Sequence, residues 1–310
     1  MDAGRRVPQR GSATAVPARA PWTCPLAAVV DTGVVSDRPD PQPTKASGAG
    51  VTIDVNADLG ETAEPDPRTE DIVRHISSAN IACGYHAGNE RVMRATAEVA
   101  HALGVAIGAH ISYLDPAGFG RRPVDVPPDV LRSHLEAQVD SLARVADALG
   151  AQVGYVKPHG ALYHRAATDE ATARVVAEVV ASLPQRNGTA AVLVAPPRSV
   201  VAARATERGV TCITEAFPDR AYLPDSSLVD RSVPGSVLTD TDEIARRAVS
   251  LAVHQSVEDA DGRGPVSVDA QSLCLHGDGP AAAAAARAVR RALGVAGVTV
   301  RPFAVPRHRS

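Results

Sequence analysis

The chain has 310 residues, 45% hydrophobic and 22% charged, enough to bury a full core as one large domain or two small ones. A net charge of -3 and 3% aromatics argue against a nucleic-acid binder, which needs a basic face and stacking rings. The four cysteines lie far apart with no CxxC pair, which argues against a disulfide framework or thiolate zinc site, and no apolar run approaches the ~20 residues of a spanning helix. A cytoplasmic protein without membrane contact is expected.

Residues 1–50 are rich in Pro, Arg, Ala, Ser and Gly and read as a disordered leader. Asp31 interrupts the apolar part of Pro25 to Val35, which argues against a secretion signal. From Val51 the pattern changes, and 51–310 reads as one domain. Val51 to Asp58 alternates apolar and polar, which predicts a strand with Thr52, Asp54, Asn56 and Asp58 on one face. Glu61 follows in a polar loop, and a helix is expected from Thr69. Ala79 to Cys83 is a short strand, and Asn89 is placed to cap a helix from Glu90 to Leu103. The alternation continues with strands at Val105–Ala109, Val153–Val156, Ala190–Val194, Val210–Thr214, Ser272–Leu275 and Val298–Val300. Helices are expected near Pro128–Leu149, Asp169–Leu183, after Pro197, Asp240–His254 and Ala281–Leu293.

This is the rhythm of a parallel (β/α) barrel of about seven to eight strands; a doubly wound open sheet is the alternative, without a G-x-G-x-x-G turn to support it. Asp58, His86, His110, His159, Asp219 and His276 each fall just past the C-terminal end of a strand, where barrels build their sites. Lys+Arg total 32, yet only Lys45 and Lys157 are lysines, so the folding domain is left with Lys157 alone. An ammonium can lose its proton when desolvated and a guanidinium cannot. With His159 beside it, Lys157 is a candidate for acid–base or electrostatic work rather than a side chain snorkelling to water. On that reading both Lys157→Arg and Lys157→Met should fold normally and lose activity. No phosphate loop of the G-x-x-x-x-G-K-[ST] type is present.

The series Ile53–Glu61, Ser78–Gly88, Gly108–His110, Gly118–Arg121, Val156–Tyr163, Glu215–Arg220 and Cys274–Asp278 resembles the LamB/YcsF family over about residues 51–300. Two departures stand out: Ile111 in place of the usual proline, and Asp225-Ser226-Ser227-Leu228-Val229-Asp230-Arg231 where the family has glycine second. The resemblance implies a barrel of the glycoside hydrolase/deacetylase type. It also implies ATP-dependent opening of 5-oxoproline to L-glutamate, with the chain as the A component of a 5-oxoprolinase and two partner subunits, B and C. ATP and a divalent cation such as Mg would be the cofactors. Such a site needs cations for phosphate charge and a base for water. Lys157, His159, Asp58 and His86 are the catalytic candidates; Asp54, Asn56, Glu61, His110, Asp219, Arg220, His276 and Asp278 are the binding candidates. Two alternatives stay open. One is a metal-dependent amidase or deacetylase-like hydrolase, with Asp54, His86 and His110 as ligands; the other is a non-catalytic substrate-binding subunit.

Overall fold

The computed structural model describes residues 50–183, 191–277 and 279–304. Apart from Gly50, the expected leader lies outside the described residues, and so does Asp278. Strands β1 (Thr52–Leu59), β2 (Ser78–Ala82), β3 (Ala106–Ile111), β4 (Val153–Pro158), β5 (Val192–Ala195) and β6 (Thr211–Ala216) follow one another in parallel. An antiparallel hairpin, β7 (Ser256–Glu258) with β8 (Pro265–Ser267), stands outside that series. Strand β9 (Ser272–His276) then pairs with both β6 and β1, closing a seven-stranded parallel barrel. The expected last strand is β10 (Thr299–Val300), which joins the start of β1 through Thr52 and Ile53.

Helices α1 (Thr69–Val73), α2 (Glu90–Ala102), α3 (Pro128–Ala148), α4 (Gly160–Thr168), α5 (Glu170–Ala181), α6 (Val200–Thr206), α7 (Thr241–His254) and α8 (Ala282–Val295) run between the strands. Asn89 caps α2 as expected, its side chain accepting from the Val92 N–H at 3.1 Å. The single helix expected from Asp169 is preceded by another. Asp169 takes an extended conformation and accepts from the Thr172 N–H at 2.8 Å, which ends α4 and starts α5. The hairpin lies in a stretch the periodicity left unassigned.

The period-2 alternation of β1 sorts its residues between two environments. Ile53, Val55, Ala57 and Leu59 join the main apolar core with helix residues such as Met93, Leu135 and Val176. Asp54, Asn56 and Asp58 are also buried but bond across the interior to residues of other strands. The main core is therefore outside the barrel wall, and the upper interior is polar. The base is apolar again: Ala106, Tyr155, Val192, Val194 and Ile213 pack together with Phe303 and Ala304 beneath them. The Phe303 ring meets Tyr155 edge-on, centroids 4.9 Å apart. Gly108 stands opposite Tyr155 in the β3–β4 register. A Cβ there would fall 2.1 Å from the Tyr155 ring, so the glycine is what lets the tyrosine occupy the interior.

Candidate active site at the barrel mouth

Lys157 is 2% exposed and does not snorkel. Its position in β4 aims Nζ inward, 3.0 Å from Asp58 Oδ1 and 3.0 Å from Glu215 Oε2. Nζ also donates to Asn56 Oδ1 at 3.2 Å and contacts Cys274 Sγ at 2.9 Å. Burial by itself would lower the Lys157 ammonium, but the neighbouring acidic groups, Asp58 first, hold it well above its ordinary value. Burial drives the Cys274 thiol well upward, so it sits beside the ammonium as a neutral group and the two carboxylates carry the balance. The neutral amine that desolvation suggests from sequence is therefore corrected. Lys157 is a fixed cation, because two carboxylates reach it where water does not.

Asp58 is the hub of this layer. Burial would raise its carboxyl, yet His110 and Lys157 outweigh burial and hold it well below the usual range. Asn80 Nδ2 donates to Asp58 Oδ1 at 2.7 Å, and the Tyr155 hydroxyl donates to Asn80 Oδ1 at 2.7 Å. Asn56 Oδ1 accepts from Asn80 and its amide donates to Ser272, which places Asn56 in the scaffold below.

Above Asp58 lies a cluster of three buried histidines and Glu61. His110 Nδ1 faces the Lys157 carbonyl at 3.1 Å, leaving Nε2 turned to Asp58 Oδ2 at 3.4 Å and to Glu61 Oε1 at 3.7 Å. His159 Nε2 faces the Phe119 carbonyl at 2.9 Å, and its Nδ1 lies 3.0 Å from His110 Nε2 and 3.4 Å from Glu61 Oε1. His86 stacks on His159 with centroids 4.0 Å apart and reaches Glu61 Oε1 at 3.1 Å. Burial lowers both His86 and His159, the latter well below its ordinary value with His110 and His86 adding to the effect. Glu61, His86, His110 and His159 each offer one donor atom, all within 4.8 Å of one another. Gly120, at φ 65 and packed on His86 and His159, supports the cluster from the loop after β3.

A cavity of about 360 Å³ opens over this floor, lined among others by Asp58, Lys157, Tyr163, Phe217, Arg220 and Arg231. That volume falls within the range of small-molecule pockets. A second cavity, of about 310 Å³, is lined by Glu61, Thr62, Asp66 and Arg68 and shares Asp58 and Arg121 with the first. Arg231 donates to His276 Nε2, and His276 Nδ1 faces Asp219 Oδ2 at 2.6 Å. His276 draws the Asp219 carboxyl below its usual value although burial opposes it. Arg220 is buried with Nη2 donating to the Val229 carbonyl at 2.6 Å and Nε to the Ser236 carbonyl at 3.1 Å, so it braces the cavity wall.

Of the residues singled out in the sequence, Asp58, Glu61, His86, His110, Lys157 and His159 converge, with Arg220, Asp219 and His276 at the rim. Asp54 does not join the histidines: Ser77 and Ser78 donate to Oδ1 at 2.7 and 2.6 Å, and Ser272 donates to Oδ2. The metal set of Asp54, His86 and His110 is corrected accordingly; Glu61 and His159 stand with the two histidines instead. Sequence reasoning missed Glu215, Asn80, Tyr155, Tyr163 and Arg231. Glu215 had a signal, since it shares the inward period of β6 with Ile213. At the departure from the family's glycine, Ser226 takes the left-handed φ of 71, and its hydroxyl donates to the Ser267 carbonyl at 2.9 Å.

Asp54 yields a stability test. Burial raises its carboxyl from 3.8 to about 6 although three serines oppose the shift. A folded value above the unfolded one favours the protonated form in the native state. Stability is therefore expected to fall as pH rises from about 4 to about 6, by up to about 3 kcal/mol. Asp54→Asn should remove that slope and leave the variant more stable than wild type near pH 7. Denaturant melts at pH 4, 5, 6 and 7 measure this; parallel curves for the two proteins would overturn it.

Fold and site together define a (β/α) barrel protein with a charged cavity of small-molecule size at the C-terminal ends of its strands. The chain belongs to the LamB/YcsF family, which it matches over residues 53–308. It is 49% identical over 254 residues to the A subunit of 5-oxoprolinase from Streptomyces griseus, covering 81% of this chain and 100% of the relative. The A subunit of 5-oxoprolinase from Streptomyces coelicolor is also 49% identical over 254 residues, with 81% of this chain and 100% of the relative covered. The crystal structure of a lactam utilization protein from Thermus thermophilus superposes with a TM-score of 0.74 at 40% identity, covering 81% of this chain and 100% of that one. Among the described residues, no helix is long and apolar enough to cross a membrane.

Proposed function

We propose that the chain is the A component of a 5-oxoprolinase and takes part in the ATP-dependent hydrolysis of 5-oxoproline to L-glutamate, with two partner subunits, B and C. The observation that carries this is the buried Lys157 ammonium, set between Asp58 and Glu215 on the floor of a cavity with arginine in its walls. The names of the family relatives support 5-oxoproline as the substrate.

A five-membered lactam is a stable amide that water attacks slowly. Transfer of the ATP γ-phosphoryl group to the amide oxygen makes the ring carbon electrophilic. Water then adds there, the C–N bond breaks with the ring nitrogen leaving as an amine, and a second water releases phosphate from the resulting acyl phosphate. Lys157, a cation across the whole working pH range, opposes the charge gathering on oxygen. Asp58, held ionised at the cavity floor, is the group to take a proton from water, with His159 beside it in the wall. Two cavities meeting at Asp58 and Arg121 suit a reaction with two substrates. Asn80, donating to Asp58 Oδ1 at 2.7 Å, orients the base, and Arg220 shapes the lactam pocket.

The purified chain alone is expected to release little or no glutamate from 5-oxoproline and ATP, and adding the two partner subunits should restore turnover. Robust ATP-dependent turnover by the chain alone would refute the need for partners. Ring opening that proceeds equally without ATP would favour the metal-dependent hydrolase reading, for which the histidine cluster is the relevant observation.

A further inference from the structure

The two imidazoles at the centre of the cluster present a physical problem. A backbone carbonyl only accepts hydrogen bonds, so His110 Nδ1 and His159 Nε2, each facing one, carry the hydrogens. The remaining nitrogens, His110 Nε2 and His159 Nδ1, then point lone pairs at each other across 3.0 Å, with the Glu61 carboxylate beside both. With both imidazoles neutral three acceptors converge, a repulsion relieved either by a second proton on His110, the charge that helps hold Asp58 ionised, or by a cation in its place. A cation at their centre turns the repulsion into ligation.

We propose that Glu61, His110 and His159, with His86 alongside, bind one divalent ion of the imidazole-preferring class, such as Zn²⁺ or Co²⁺. The distances fit. A tetrahedral ion with bonds of ~2.0–2.1 Å spaces its ligand atoms about 3.4 Å apart. Here the His110–His159, His159–Glu61 and His110–Glu61 separations are 3.0, 3.4 and 3.7 Å. The carbonyls of Lys157 and Phe119 already occupy the outer nitrogens, as ligating histidines require of their surroundings. His86 Nε2, 3.1 Å from the same Glu61 oxygen, is the fourth ligand atom, and its Nδ1 is buried with no partner among the described residues. Magnesium suits this set poorly, since it takes octahedral oxygen ligation. The site sits beside Asp58 and Lys157, so an ion there would face the cavity floor and polarise an oxygen bound over it.

The test reads metal alone, so it succeeds or fails independently of the lactam reading. The full-length chain, freed of metal with chelator and dialysed, is titrated with Co²⁺ while the visible spectrum is followed. Saturation at about one equivalent, displacement of the colour by Zn²⁺ and a rise in melting temperature are expected. His110→Ala and His159→Ala should abolish saturable binding with far-UV circular dichroism unchanged, and Glu61→Gln should weaken it at least about tenfold. His254→Ala, on α7 outside the barrel, should bind as wild type. If the histidine variants do not fold, the wild-type titration and Glu61→Gln decide. Absence of saturable Co²⁺ binding in wild type, or wild-type affinity in Glu61→Gln or in a folded His110→Ala/His159→Ala double variant, overturns the proposal.

Discussion

Lys157→Arg and Lys157→Met are both expected to lower turnover of the assembled complex by at least about two decades, the usual effect of losing one electrostatic contact to developing charge. The planar fork of arginine does not fit a slot with Asp58 and Glu215 both 3.0 Å from a single nitrogen, and methionine carries no charge. The structure revises the accompanying expectation that these variants fold normally. Methionine would leave two buried carboxylates facing each other, at a cost of about 3–5 kcal/mol. Both would gain protons more readily in the fold, so the deficit should shrink as pH falls and grow as it rises. In wild type the raised Lys157 value means its stabilisation persists until strongly alkaline pH. Adding Glu215→Gln to Lys157→Met should restore much of the stability and none of the turnover. Arg208→Ala, which removes a half-buried pair with Glu178 and a bond to the Arg204 carbonyl far from the site, serves as the control. Turnover of Lys157→Arg within about threefold of wild type would remove Lys157 from the mechanism, since the expected contact is worth far more.

The second large effect is steric. Gly108→Ala would bring a methyl group to 2.1–2.6 Å from three atoms of the Tyr155 ring. That ring cannot swing aside freely, because its hydroxyl is bonded to Asn80 and Phe303 lies against it. A loss of about 3 kcal/mol is expected, at the upper end for overpacking. Activity should fall as well, since Asn80 positions Asp58. Tyr155→Leu makes room, so the Gly108→Ala/Tyr155→Leu double variant should be more stable than the sum of the single effects allows. Urea unfolding measures all three. A loss under about 0.5 kcal/mol for Gly108→Ala would mean the tyrosine relocates at little cost.

The barrel was legible in the sequence because six of its seven strands ran into an acidic residue or a histidine and β1 alternated cleanly. Asp58, His86, His110, Lys157 and His159 could be found for the same reason, one strand end at a time. What the sequence withheld was the layer beneath. Asn80, Tyr155, Glu215 and Cys274 become a polar interior only once the strands are set in register, and register depends on neighbours tens to hundreds of residues away. Glu215 was visible as a strand-end residue but carried no sign of its lysine. The start of α4 was hidden because Pro158-His159-Gly160 reads as a stop rather than a beginning. Gly160 in fact sits at φ 53 with its would-be Cβ 2.5 Å from the Gly120 carbonyl, tying the turn to the loop after β3.

Phe303 and Ala304 do more than fill space under Tyr155. They act as a stopper in a vessel whose contents are charges kept from water. The strong pull between Lys157 and its carboxylates depends on a weakly polarisable surrounding, and a leak at the bottom would dilute it as surely as a mutation at the top. Phe303→Ala, some distance from the mouth, should therefore admit solvent, quicken amide hydrogen exchange along the lower turns of β1 and β4, and bring Asp54 back toward an ordinary carboxylate. The far end of the barrel is, in that sense, part of the electrical insulation of the near one.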